Sequence, residues 1–311
     1  GKLNELKGEI NDERNEFMRR INLADNEAEK KKLMAELDEK ELEWADEIER
    51  EKSHQDRQLK DKLRRRKLQM EKNKFKHREE NLNKELELME FEAQKREENA
   101  LNRIRKEIET NKNDKDLPLR VYKMLEDMTG RRLDDQAKIQ FYQLAGMIAN
   151  LYTNIAFDKA LSRKNLEEDM DEKVKDLDEA GVSSHDFQKE IKRYQKELEQ
   201  RGKDEEKDLI RKQMEEEMDL RERLQENHYN DRKKLEGDLF TKKEDLLNEL
   251  MKDFRNESIL KLLLDRSREE LDAKLLKMAE DKENDIQKIK LQLVAKNKND
   301  LSQMEKKLED D

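Results

Sequence analysis

The stretch IQFYQLAGMIANLYTNIAF, residues Ile139 to Phe157, contains no charged side chain, in a chain where 48% of residues are Asp, Glu, Lys or Arg. Within it Phe141, Leu144, Ile148, Leu151 and Ile155 recur at alternating spacings of three and four. That spacing places them on one stripe of an α-helix. Ala145, Met147, Ala149, Tyr152 and Ala156 widen the stripe, while Gln140, Gln143, Asn150 and Asn154 form the polar remainder. An apolar face this wide buries against more than one partner helix. The five stripe residues are therefore candidate partner-binding positions. The stretch is close to the roughly 20 residues of a membrane span. Gln140, Gln143, Asn150, Thr153 and Asn154 argue against insertion and for a packed helical node.

On the N-terminal side of the node, residues 2–113 hold no proline, and their one glycine is Gly8. Apolar residues recur there at helical spacing in patches, of which Leu82, Leu86, Met89 and Ala93 are the cleanest. The stripe changes register between patches and is interrupted by charge, as in a long and weakly cohesive coiled-coil helix. Asn111 to Pro118 breaks it, since Asn and Asp compete with helical hydrogen bonds and proline disfavours the α conformation before it. Pro118 suits the first turn of a new helix. That helix carries Val121, Leu125 and Met128, with Gly130 placed to cap its end.

On the C-terminal side the charged pattern returns with Leu166, Met170, Val174 and Leu177. A second break follows at Ala180-Gly181-Val182-Ser183-Ser184, where Ser183 with Asp186, or Ser184, can cap the next helix. The stripe then resumes at Phe187 and Ile191, weakens around Gly202, and runs through Leu235, Leu239, Leu246, Leu250 and Phe254 to Leu308. The reading is all-α: long, broken coiled-coil helices about a short, more apolar node, with no globular core. The divisions are an arm over 1–113, the break and node over 114–160, coiled coil over 161–180, a break at 181–184 and an arm over 185–311. The arms either run on and dimerise with another chain or fold back at 111–118 or 181–184 as antiparallel hairpins.

Composition agrees. A chain of 311 residues has room for roughly two globular domains. Its apolar content is 32%, against about 45–50% in ordinary domains. One proline and seven glycines are too few for the turns such domains need. Lys and Arg number 70 and Asp and Glu 80, a net charge of −10 with the signs interleaved, which favours i,i+4 pairs along helices over a nucleic-acid coat. There is no cysteine, so disulfides and cysteine chemistry are excluded, in keeping with a reducing compartment. The start, Gly1 to Leu6, lacks the apolar run of a signal peptide and lacks an initiator Met, as in a fragment or processed form.

The residues offer little to a catalyst. Asp176 to Phe187 has the acids and glycine of an EF-hand loop at its start, but Ala180 and Phe187 stand where two ligands are needed. It reads as a capped helix break. His54, His77, His185 and His228 have no second histidine at ligand spacing, and no two glycines lie close enough for a phosphate loop. Carboxylate pairs abound, but on a solvated rod without a pocket to shift their pKa values. The expectation is a protein that is not an enzyme and holds no cofactor or metal.

Residues 61–78 form a basic belt. Lys62, Arg64, Arg65, Arg66, Lys67, Lys72, Lys74, Lys76 and Arg78 are opposed there by Asp61 and Glu71 alone. Such a belt suits an acidic filament surface. Successive arginines at Arg64, Arg65 and Arg66 point about 100° apart, and Phe75 is the one aromatic, so a groove-reading or base-stacking role is disfavoured. The belt also reads as a salt-bridged helix face matched to the acidic run over 167–180.

Charged helices, broken heptads and short capped breaks over nearly the whole chain resemble the long coiled-coil proteins of the cytoskeleton, in particular those that lie along microtubule doublets in cilia and flagella. The resemblance implies a cytoplasmic, cytoskeletal scaffold or tether, with other coiled-coil helices and an acidic filament surface as partners. The arms also resemble the stalks of motors and chromosome-organising ATPases, whose heads would lie outside this chain.

Overall fold

The computed structural model describes residues 2–253 and 257–310. It is all-α, with five helices and no strand among the described residues: α1 (Lys2–Leu23), α2 (Glu27–Thr110), α3 (Leu117–Glu179), α4 (Ser184–Asp253) and α5 (Glu257–Asp310). The chain forms two compact units, Gly1–Asn73 and Lys74–Asp311, with the boundary inside α2.

In the first unit α1 turns back on the start of α2. Arg14 Nε meets Glu41 Oε1 at 3.0 Å, and the Phe17 and Trp44 rings meet edge-on with centroids 6.5 Å apart. Ile10, Ile21, Leu33 and Trp44 are buried. The arm expected as one helix over 1–113 is thus two. Asp25 and Asn26 stop α1, and the Asn26 Oδ1 accepts the Glu29 N–H at 2.8 Å, which caps α2.

In the second unit α2 through α5 run alternately up and down. The turn after α2 is braced at Asp114. Its carboxylate accepts the Asp116 N–H at 3.0 Å and Arg120 Nη1 at 2.7 Å, and Arg120 Nη2 reaches back to Glu107 at 3.1 Å. These bonds to the charged form hold the Asp114 carboxyl below its ordinary pKa. Pro118 lies in the first turn of α3, as its locked φ favours. The turn after α3 uses Gly181 at φ 63°, a left-handed conformation glycine takes without a Cβ clash. Ser183 Oγ accepts the Asp186 N–H at 3.4 Å and donates to Asp186 Oδ2 at 2.8 Å. The chain therefore folds back at both expected breaks. α4 and α5 also pack on each other, with Lys243 bonded to Ser267 and Lys282 to Glu226, so the stretch read as one arm over 185–311 is two paired helices. Phe254 lies outside the described residues.

Gly130 does not cap a helix; α3 runs through it. Met128 and Leu133 are both buried, so continuing the helix keeps both in the core at the roughly 1 kcal/mol cost of one interior glycine. Gly146 permits a close crossing. A Cβ there would come 2.5 Å from a Leu82 methyl, so α2 and α3 pack with the Leu82 side chain directly on the Gly146 backbone.

The four helices share a core where the sequence led to an expectation of none. Leu101 and Ile104 of α2 meet Leu117 to Leu133 of α3, Leu239 to Leu250 of α4, and Leu260 and Leu264 of α5. Each helix alone carries too thin a stripe to build a core, but the packing of the four helices brings four stripes together. Polar layers interrupt the packing. Arg132, 4% exposed, bonds Glu97 at 3.1 Å and Glu90 at 2.5 Å, and Lys242 also meets Glu97. Lys243 bonds Ser267 at 3.0 Å and lies over the Tyr122 ring, whose hydroxyl meets Ser267 at 2.8 Å. A misregistered pairing would leave these buried charges without partners, so the layers select register.

Candidate protein-interaction site

The predicted stripe of the node changes character along its length. Phe141 is 74% exposed, Leu144, Ile148 and Leu151 are half-buried, and Ile155 is 3% exposed. Most of the stripe is thus spent inside the chain, and Phe141 is the one of the five left open. Toward the buried end of the stripe, the Tyr152 hydroxyl donates to Glu217 at 2.7 Å and accepts from Lys296 Nζ at 3.1 Å. That bond raises the Lys296 pKa and ties α5 to α3 and α4. No sequence spacing pointed to this junction, because its members are 65 and 144 positions apart.

The basic belt lies on α2. In the first unit, Arg65 and Arg66 are exposed and Arg64 is half-buried, with Asp61 at 4.0 Å. One face of this stretch is also apolar: Leu59 and Leu63 are each 57% exposed and Met70 is 54%. At 100° per residue these three fall within about 40° of one another, with Lys62 and Arg66 to one side and Lys60 and Lys67 to the other. In the second unit, Lys76 pairs with Glu80 at 3.9 Å and Arg78 donates to Thr153 at 3.1 Å.

An open groove of about 670 Å³ lies between α2 and α4, with α3 as its floor. Its apolar lining is Leu86, Phe91, Ile139 and Leu235, and Glu87, Asp231, Lys234 and Asp238 stand on its rims. Its amides are occupied by bonds within the chain. Gln140 donates to the His228 carbonyl at 3.0 Å, Gln143 meets His228 Nε2 at 2.8 Å, and Gln94 donates to Glu90 at 3.2 Å. Burial lowers the His228 pKa, and Asp231 opposes that in part.

A third surface is on α5, where Ile259, Leu262, Leu276, Leu291 and Val294 are exposed. The loop at 176–187 is a helix reversal, and the described residues contain no group of His, Asp and Glu placed to hold a metal ion. Among the described residues no helix is long and apolar enough to cross a membrane. No family model matches the chain, and no curated protein or solved structure matches it.

Proposed function

We propose that the chain is a structural coiled-coil scaffold that lies along a larger assembly of the microtubule-based cytoskeleton, with a ciliary axoneme as the setting its style of sequence favours. The observation that supports this reading is the apolar surface left open after folding. Leu59, Leu63 and Met70 on α2 and Ile259, Leu262, Leu276, Leu291 and Val294 on α5 are exposed in spaced clusters along long helices. Compact enzymes concentrate such surface in one patch or pocket, whereas clusters spaced along long helices suit repeated contacts with an extended partner. Cations on several faces of residues 60–72 favour an acidic filament as that partner. No catalytic group or cofactor has a part in it.

Co-sedimentation of the purified protein with stabilised microtubules tests the reading. Binding is expected that weakens with salt, as contacts between exposed charges do. Charge reversal at Arg65 and Lys72, which share a face away from Leu63, should reduce the pelleted fraction by about tenfold at fixed microtubule concentration. A protein that stays in the supernatant at low salt would remove microtubules as the partner.

A further inference from the structure

We propose that the α2 face centred on Leu59, Leu63 and Met70 of one copy seats in the groove between α2 and α4 of a second copy. The fit rests on length, on apolar content and on charge. The groove runs from Leu86 to Gln94 on α2 and from His228 to Asp238 on α4, which is roughly 15 Å of helix on the longer side. The face from Leu59 to Met70 is roughly 16 Å long. Its three exposed apolar side chains would meet Phe91, which is 61% exposed, and the half-buried Leu86 and Leu235, over the buried Ile139, so the surface removed from water comes chiefly from the incoming face and from Phe91. Gln140 and Gln143 on the floor and Gln94 on the α2 wall each already hold a partner within the chain, which lowers the cost of an apolar occupant.

Charge sets the polarity of the contact. Glu87 stands on one rim and Asp231 and Asp238 on the other, opposed by Lys234. The incoming face carries cations on both flanks, Lys62 and Arg66 on one side and Lys60 and Lys67 on the other, so each rim meets positive charge. Because the face and the groove are different surfaces, the contact is heterologous, and repeating it yields a head-to-tail chain of copies. This association assigns the Leu59, Leu63 and Met70 face to a second copy, and leaves the α5 clusters and the cations Arg65 and Lys72, on the opposite side of α2, for the filament.

The absence of native cysteine makes the test direct. Leu63→Cys protein and Gln94→Cys protein are mixed and joined with a short bis-maleimide, so a mixed dimer can form only between copies. The expected result is a mixed dimer well above the yield of Leu63→Cys with Glu283→Cys, a control on the exposed side of α5. Lys62→Glu with Arg66→Glu, placed in the Leu63→Cys protein, should lower the yield about tenfold. Mixing that protein with a Gln94→Cys partner carrying Asp231→Lys and Asp238→Lys should restore it. Far-UV circular dichroism checks that each variant keeps its helicity. Sedimentation velocity of the unmodified protein supplies a second readout, with association expected as concentration rises. A protein that stays at 37.6 kDa up to about 100 μM, or a mixed-dimer yield equal to the control, overturns the proposal.

Discussion

The end of the bundle formed by residues 101–133 and 239–264 and the hairpin formed by residues 158–216 are built from the same two central helices, α3 and α4, yet they are held differently. At the first, Leu117, Val121, Leu125, Leu239 and Leu247 are wholly buried. At the second, no described side chain between Ala156 and Glu216 is buried. There the helices are joined by Lys212 with Asp158 at 3.3 Å, Arg201 with Asp169 at 2.5 Å, and Ser162 with Glu205. Leu166 supports them, fitting closely over Gly202. Two more helices account for the difference. Where α2 and α5 add their stripes, four helices enclose a core; where α3 and α4 are paired through polar contacts, the joint stays open to water. Exposed ion pairs fix alignment but contribute little stability, so the two ends should respond differently to truncation, salt and pH.

Truncation at the core end should have the largest effect. Leu247→Ala or Leu125→Ala each removes a wholly buried side chain and should cost about 2–5 kcal/mol, read from the urea midpoint. Arg132→Ala should follow at about 3 kcal/mol, because Glu90 and Glu97 lose a buried partner while Lys242 still neutralises Glu97. A cost near zero would mean that the polar layer does not set register.

A smaller effect should come from pH. Burial lowers the His228 pKa, so the unfolded chain binds a proton there more readily than the folded one. Stability from the neutral ring is present above about pH 6.5 and is lost as pH falls from there toward the lowered folded value. Urea midpoints from pH 7.5 to 5 should fall, and His228→Gln should flatten that part of the profile. The smallest effect is expected at the hairpin. Arg201→Ala should leave the global midpoint within error, and its local consequence should disappear in high salt. A large global loss at Arg201 would break the contrast between the two ends.

Much of the architecture is written in local sequence. Pro118 after an Asn- and Asp-rich run, and Gly181 followed by Ser183 and Asp186, mark two reversals because backbone restriction and capping act over a few residues. The turn at Asn26 uses the same chemistry, but its signal is a bare Asp-Asn pair without proline or glycine. Gly130 misleads because propensity is a weak prior beside buried neighbours on the same face. The polar layers were hidden for another reason. Arg132, Glu217, Glu236 and Lys243 look like surface charges on a helical wheel, and only distant partners show that they are interior, such as Glu97 for Arg132 at 35 positions, Tyr152 for Glu217 at 65 and Glu126 for Lys243 at 117. The candidate stripe at 141–155 was legible as a face but not as a destination: the periodicity that marks Ile155 as apolar does not say whether α4 or another molecule covers it.

Hydrogen exchange by mass spectrometry on the intact chain tests the contrast most directly, since local protection follows the free energy of local opening. The slowest exchange is expected at 101–108, 117–133 and 239–250. Markedly faster exchange is expected over 158–216, accelerated further by salt that screens Lys212 with Asp158 and Arg201 with Asp169. Equal protection at the two ends, or a hairpin indifferent to salt, would contradict it.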